Sequence, residues 1–312
     1  IMEDFPTFGF PTMAMRGRSS SSSSPSVRSK CFTTSSSISP NPNIDAEKLD
    51  SLITPKTKVI VPVHYAGVAC DMDKIMEIAN KHNILVVEDA AQAIDSYYKG
   101  KPLGSIGHLA AFSFHETKNI IAGEGGLLAI NDERFIRRSE ILWEKGTNRS
   151  EFFRGEVNKY GWVDTGSSFL PSEVIAAFLW AQLENMNTIQ KRRKDIWNLY
   201  YEGLESLEKL GLFRLPEIPS YATNNAHMFY LVCRNLNERT QLIKHLKDNG
   251  VLAVFHYLSL HLSEYYTQNN EEIPNLPECD RYADCLVRLP LYYELKDEEV
   301  KHIIELIKKF YI

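Results

Sequence analysis

Two short stretches carry residue types that are costly to place without a use. The apolar run Ile84-Leu-Val-Val87 leads into Glu88-Asp89-Ala-Ala-Gln92, and the run Leu109 to Phe114, with Ser113 near its end, leads into His115-Glu-Thr-Lys-Asn119. If both runs are strands of one open α/β sheet, their carboxyl ends lie at the edge where ligands bind. Asp89, Gln92, Ser113 and Lys118 would then meet at that edge. Pyridoxal phosphate uses such a set: a lysine for its covalent imine, an acid that keeps the ring nitrogen protonated, and donors for the phosphate. The acid matters because a protonated ring draws charge from the carbanion formed at the substrate carbon. Each residue is ordinary alone. An aspartate after a strand often caps a helix, a loop lysine is most often a solvated charge, and Gly123-Glu-Gly-Gly126 is a common kind of glycine turn. Their order and strand-end context favour a single site.

The elements that must position them are legible as periodicity. Asp45 to Ile53 reads as a short helix, and Lys58 to Val63 as a strand buried on both faces. Asp71 to His82 has Met72, Ile75, Met76 and Ala79 at helical spacing, before the strand Ile84 to Val87. This β-α-β alternation implies a parallel sheet, to which Leu109 to Phe114 and Leu127 to Ile130 add strands. Asp132 to Lys145 reads as a helix stopped at Gly146, followed by a polar loop to Phe169 and a long helix from Pro171 toward Leu210. Past a proline-containing linker, Gly211 to Ala226, the grammar changes. Strand Met228 to Cys233, helix Glu238 to Asn249, strand Val251 to Tyr257 and helix Asp297 to Phe310 describe an α+β module. The expected organisation is a segment 1–43, a large α/β domain 44–210 and a small α+β domain 211–312.

Bulk properties exclude several classes. With 312 residues, 44% of them hydrophobic, the chain can bury a substantial core. The net charge of −5 comes without a concentrated basic face, which argues against nucleic acid as a partner. No run of about 18 apolar residues exists, so no membrane-spanning helix is expected. Five cysteines with no CxxC pair suggest reduced thiols and a cytoplasmic protein. The nine histidines show no zinc spacing, and His256 and His261 are expected at a substrate entrance or in packing, so no metal is expected. No GxGxxG or P-loop pattern supports a nicotinamide oxidoreductase or an NTPase. The first 43 residues stand apart. Between Asp4 and Asp45 there is no acid, while Arg16, Arg18, Arg28, Lys30 and two serine runs are present. Disorder is the expectation there, with a transit-peptide-like composition or a sequence artefact as alternatives.

Glu88-Asp89-Ala-Ala-Gln92, Phe112-Ser-Phe-His-Glu-Thr-Lys-Asn119 and Gly123-Glu-Gly-Gly126 together resemble the DegT/DnrJ/EryC1/StrS family of sugar aminotransferases. Lys145 to Gly155 and Trp162 to Ser168 resemble the branch that makes dTDP-4-amino-4,6-dideoxygalactose from dTDP-4-dehydro-6-deoxyglucose, with glutamate as amino donor. Asn225-Ala-His-Met-Phe229, Val254-Phe-His-Tyr257 and Arg288-Leu-Pro-Leu291 agree with it, so the resemblance runs from about Asn43 to the end.

The resemblance implies an aspartate-aminotransferase-like fold of type I and a homodimer with sites at the subunit interface. Lys118 would bind the cofactor covalently and shuttle a proton, Asp89 would pair with the ring nitrogen, Gln92 would bond the ring hydroxyl, and Ser113 would hold the phosphate. His115, Arg149, Arg154 and His256 would shape the site or contact substrate, the arginines because guanidinium forks match diphosphates and carboxylates. Related dehydratases have histidine at the position of Lys118, so lysine favours transamination. Family members also carry an N-terminal stretch with a phosphate-binding helix that residues 1–43 do not match. A truncated large domain with exposed strand edges, and a non-catalytic homologue, form the competing expectation.

Overall fold

The computed structural model describes residues 41–270 and 272–312, so the expectations for residues 1–40 lie outside the described part. Asn43 already belongs to the folded body: it is buried, its Nδ2 donates to the Val68 carbonyl (2.9 Å), and its Oδ1 accepts from the Tyr65 amide (2.9 Å).

The chain enters through α1 (Ala46–Leu52), N-capped by the Asp45 carboxylate, and β1 (Val59–Ile60). Then come α2 (Met72–Lys81), β2 (Leu85–Asp89), the small antiparallel hairpin β3 (Tyr97–Tyr98) and β4 (Lys101–Pro102), β5 (Leu109–Ser113) and β6 (Gly126–Ile130). Helix α2 forms because Asp71 caps its first turn, Lys81 sits in its last turn, and Met72, Ile75, Ile78 and Ala79 make one buried stripe. That stripe packs with Ile60, Ile84 and Val86 into the first core. Each large side chain buried there contributes roughly 1.5–3 kcal/mol.

The main sheet has the order β1-β2-β5-β6. Strands β1, β2 and β5 are parallel, with Val59 opposite Leu85 and Asp89 opposite Ala111. Two expectations change here. Strand β6 runs antiparallel to β5, Ser113 facing Gly126, because only the Phe114 to Gly125 loop joins them and no crossover helix intervenes. The first strand is shorter than the run Lys58 to Val63 and is covered on one face: Ile60 is buried, while Val59, Val61 and Val63 are exposed.

After the sheet come α3 (Ile136–Trp143), the short α4 (Arg149–Phe153), α5 (Glu173–Glu184) and α6 (Met186–Lys209). The helix expected over Asp132 to Lys145 is a 3-10 turn, Glu133–Phe135, followed by α3, which ends at Trp143, short of Lys145, whose φ is +61°. The single long helix expected from Pro171 is two helices, divided at Asn185.

The remaining elements are β7 (Phe229–Val232), α7 (Leu236–Asp248), β8 (Val254–Phe255), α8 (Glu264–Asn269), α9 (Pro277–Cys285), β9 (Leu286–Leu289) and α10 (Asp297–Tyr311). They carry an antiparallel sheet of order β7-β9-β8. Alternation along its strands separates two faces. Phe229, Leu231, Val287 and Leu289 enter a core with α6, α7 and α10, whereas Met228, Tyr230, Val232 and Leu286 pack with Ala66, Tyr282 and Tyr65. Helix α6 serves both halves: Met186 and Ile189 pack under Phe114 and Ile120, and Ile196, Tyr200, Leu204 and Leu207 enter the core beneath the smaller sheet.

Candidate active site

The site grows from the carboxyl end of β2. Glu88 is fully buried. Its Oε1 accepts the amides of Ile106 (2.8 Å) and Gly107 (2.6 Å), and its Oε2 accepts the Gly104 amide (2.8 Å) and His64 Nε2 (3.0 Å). Because His64 Nδ1 accepts the Cys70 amide (3.2 Å), the ring hydrogen lies on Nε2 and donates to Glu88. Burial pushes the Glu88 carboxyl up, but His64 and the Gly107 and Gly104 amides outweigh it and hold the acid below its ordinary value.

Asp89 emerges at the edge. One oxygen accepts the Ala91 amide (3.1 Å), and the other has no partner among the described residues. Burial raises its pKa, with the Ala91 amide and the charges of Lys118 and His64 acting the other way. A half-buried carboxylate with an open oxygen is suited to a cationic ring nitrogen. Lys118 sits in the Phe114 to Gly125 loop, its amide bonded to the His115 carbonyl (2.9 Å). Burial lowers its pKa; Asp89 opposes that shift and Arg288 adds to it. The amine is thus biased toward the free base needed for imine formation and proton transfer.

Asn119 fixes this lysine. Its Nδ2 donates to Gln190 Oε1 (2.9 Å) and to the Asn225 carbonyl (2.8 Å), and its Oδ1 meets His227 Nδ1 (2.9 Å). Burial, with the charges of Lys118, Arg193 and Arg288, holds His227 neutral, so its Nδ1–H donates to Asn119. Arg193 of α6 donates to the carbonyls of Ala226 (3.1 Å) and His227 (2.8 Å) and clamps this segment from behind.

Gln92 holds a third piece. Its Oε1 accepts the Ala66 amide (2.7 Å), leaving the side-chain NH2 without a partner among the described residues and able to donate to a ligand oxygen. Asn225 Nδ2 donates to the carbonyls of Gln92 and Ile94, both at 2.8 Å. The Tyr65-Ala66-Gly67 turn carries Tyr65 to His256, whose Nδ1 lies 3.2 Å from the tyrosine oxygen. Burial raises the Tyr65 phenol, and burial with the Arg288 charge lowers His256 to about 4. At neutral pH the phenol therefore donates to a neutral imidazole.

Ser113 lies at the end of β5, its hydroxyl accepting the His115 amide at 3.3 Å. His115 Nδ1 accepts from the Thr117 amide (3.2 Å), and its Nε2 lies 3.7 Å from Glu124. Asp89, Gln92, Ser113, Lys118, His115 and His256 thus belong to one neighbourhood of strand ends and loops. Arg149 and Arg154 are engaged elsewhere. Arg149 pairs with Glu144 (2.5 Å) and lies over the Phe153 ring, and Arg154 bonds Glu140 and Glu156. Their ion pairs stay within the α3–α4 region, so neither is a bare cation presented to Lys118.

Four residues were not singled out in the sequence as parts of the site: Tyr65, Asn225, His227 and Arg288. The segments Asn225 to Phe229 and Arg288 to Leu291 carried the resemblance, yet their contribution depends on long-range contacts that no local spacing reveals. Among the described residues no group of three or more His, Cys, Asp or Glu is arranged to hold a metal. No helix there is long and apolar enough to cross a membrane.

Comparison with known proteins bears on the whole described body. The profile of the DegT/DnrJ/EryC1/StrS aminotransferase family matches residues 38–308. The chain is 32% identical over 277 residues to the spore coat polysaccharide biosynthesis protein SpsC of Bacillus subtilis, covering 85% of this chain and 70% of that protein. Spr1654 from Streptococcus pneumoniae in its PMP form superposes with a TM-score of 0.79 at 28% identity, over 87% of this chain and 73% of that one. Its PLP form gives 0.77 at 28% identity, over 86% and 72%. The aminotransferase from Psychrobacter cryohalolentis gives 0.80 at 27% identity, over 86% and 72%. The chain therefore belongs to the DegT/DnrJ/EryC1/StrS aminotransferase family, whose members are pyridoxal-phosphate-dependent sugar aminotransferases of fold type I.

Proposed function

We propose that this chain transfers an amino group from L-glutamate to the 4-keto carbon of a nucleotide-linked 6-deoxy sugar, with dTDP-4-dehydro-6-deoxyglucose as the substrate. The observation that carries the reading is a half-buried lysine and a half-buried carboxylate whose charges act on each other, the carboxylate at the carboxyl end of β2 and the lysine in the loop after β5, with a free amide donor on Gln92. When bound, pyridoxal phosphate supplies the electron sink that makes the substrate C–H bond acidic. Lys118 would hold the cofactor covalently, and its amine, biased toward the free base, would serve as the group that takes up the proton of the substrate carbon. Asp89 would face the ring nitrogen, Gln92 would donate to the ring oxygen, and Ser113 would offer a hydroxyl to the phosphate. Asn119 and His227 hold the backbone from which Lys118 projects.

His115 and His256 border the substrate side, and His256, kept neutral and bonded to Tyr65, is an uncharged surface for a sugar. Arg149 and Arg154 serve the nucleotide end, where their present carboxylate partners would be exchanged for phosphate oxygens. Residues 44–210 act as the cofactor-binding part and residues 211–312 as the smaller part that closes over it. The working form is a homodimer, a reading supported by the exposed apolar side chains Phe153, Trp162, Val174 and Trp180. The setting is cytoplasmic, and the buried thiols Cys70, Cys233 and Cys285 are not joined in disulfides.

The test is incubation of purified protein with cofactor, L-glutamate and dTDP-4-dehydro-6-deoxyglucose. The expected products, detected by mass spectrometry, are 2-oxoglutarate and the amino sugar nucleotide. Conversion of a different keto-sugar nucleotide in its place would overturn the substrate assignment.

A further inference from the structure

One polar side chain lies behind the cofactor site where packing alone would place an apolar one. Gln190 is 2% exposed. It belongs to the face of α6 that carries Met186, Ile189, Arg193 and Lys194, residues three and four positions apart. Met186 and Ile189 pack under Phe114 and Ile120, the apolar residues on either side of Lys118. Gln190 joins three segments that are distant in sequence. Its Oε1 accepts from Asn119 Nδ2 (2.9 Å), and its Nε2 donates to Asp95 Oδ2 (3.2 Å) and to the Asn225 carbonyl (3.4 Å). Asn119 directly follows Lys118, Asp95 closely follows Gln92, and the Asn225 side chain holds the Gln92 and Ile94 carbonyls.

The direction of every bond in this set is determined. The Asp95 carboxylate, paired with Lys194 (3.0 Å), and the Asn225 carbonyl can only accept. Gln190 must therefore turn its NH2 toward them and its oxygen toward Asn119. Asn119 then gives its NH2 to Gln190 and to the same Asn225 carbonyl, which leaves its Oδ1 to accept from His227 Nδ1–H. A chain of donors thus runs from His227 through Asn119 and Gln190 to the carboxylate of Asp95. Such a satisfied network adds little net stability over apolar packing of the same shape. What it adds is a single allowed arrangement of its members.

We propose that Gln190 is a positioning residue for the cofactor site: anchored by Asp95, it fixes the loop that bears Lys118 relative to the loop that bears Gln92. The inference rests on Lys118 carrying the cofactor and names what sets that lysine's place. Helix α6 is suited to the part, because Ile196, Tyr200 and Leu204 further along it are locked into the core beneath the smaller sheet.

The test compares wild type with three variants. Gln190→Met keeps the length and removes the bonds, and Gln190→Glu sets two carboxylates against each other. Gln190→Glu combined with Asp95→Asn restores a donor–acceptor pair in the opposite sense. The rate at which visible absorption develops on mixing with pyridoxal phosphate reports cofactor capture by Lys118. Amide hydrogen exchange of residues 114–125 in the cofactor-free protein reports the loop itself. Gln190→Met and Gln190→Glu should each capture cofactor on the order of 10- to 100-fold more slowly, with faster exchange in that loop. The double variant should recover most of both losses. A Gln190→Met protein with wild-type capture and wild-type exchange overturns the assignment, and a double variant as slow as Gln190→Glu removes Asp95 from it. If wild type captures no cofactor on Lys118, the cofactor reading falls instead, while unchanged loop exchange in Gln190→Met would still overturn the positioning role.

Discussion

Lys118 and Asp89 bear on each other's charge without forming an ion pair: each shifts the other's titration, yet no salt bridge joins them among the described residues. Burial disfavours the charged form of both, lowering the lysine and raising the aspartate. Two half-buried, incompletely compensated charges are a costly arrangement that a bound cationic ring would relieve.

That strain predicts a trade between stability and function. Asp89 has a folded-state pKa above its ordinary 3.8, so its destabilising effect is present at neutral pH and disappears as pH falls below that ordinary value. Lys118 has a folded-state pKa below its ordinary 10.5, so its destabilising effect is present at neutral pH and fades as pH rises toward that value. Lys118→Met and Asp89→Asn should each raise the melting temperature of the cofactor-free protein at pH 7. The Asp89→Asn protein should nonetheless lose on the order of 10²–10³ in kcat. Differential scanning calorimetry and steady-state kinetics measure the two effects, and a less stable Lys118→Met protein would contradict this picture.

Glu88 has the opposite sign. Its carboxylate accepts the amides of Gly104, Ile106 and Gly107 as well as His64, and its pKa is held below the ordinary 4.5. It contributes stability above that value, and the contribution is lost as pH falls through the depressed folded-state pKa. Glu88→Gln would turn an NH2 group toward donors and should cost roughly 3–5 kcal/mol. Urea unfolding at pH 7 and near pH 4 tests this: the difference between the variant and wild type should shrink in acid.

The turn that carries Tyr65 leaves no room at Gly67. A Cβ there would lie 1.9 Å from Asn225 Oδ1, and φ is +77°. Gly67→Ala should displace Asn225 from the Gln92 and Ile94 carbonyls and destabilise the fold by roughly 2–4 kcal/mol. Chemical denaturation reads the loss; a change below about 1 kcal/mol would mean that the turn adapts readily.

Tyr65→Phe removes the phenol that donates to His256 while keeping the ring contacts with Tyr230. The expected result is a stability loss of about 1 kcal/mol, read by chemical denaturation. A variant as stable as wild type would show that the bond from the phenol to His256 makes no net contribution.

Asp89, Gln92, Ser113 and Lys118 could be proposed as one site from the sequence because each sits at or just past the end of an apolar run that the structure shows as a strand. Helix α2 was readable because its buried stripe and Asp71 cap are local. What escaped was set by partners far along the chain. The antiparallel direction of β6 depends on a loop closing back on β5. The break at Asn185 divides one helical pattern between two packing surfaces. Tyr65, Asn225, His227 and Arg288 join the site through contacts spanning much of the chain, such as Tyr65 to His256 and Asn119 to His227. Arg149 and Arg154, which the resemblance offered as substrate contacts, pair in the structure with Glu144, Glu140 and Glu156, partners that only the folded α3–α4 region brings to them.

The central claim is that Lys118 carries the cofactor. Purified protein equilibrated with pyridoxal phosphate, reduced with borohydride and digested should show the reduced cofactor on the peptide containing Lys118, and Lys118→Ala should abolish both that label and the visible absorption. A label found on another lysine, or a protein that stays colourless in excess cofactor, would contradict the account.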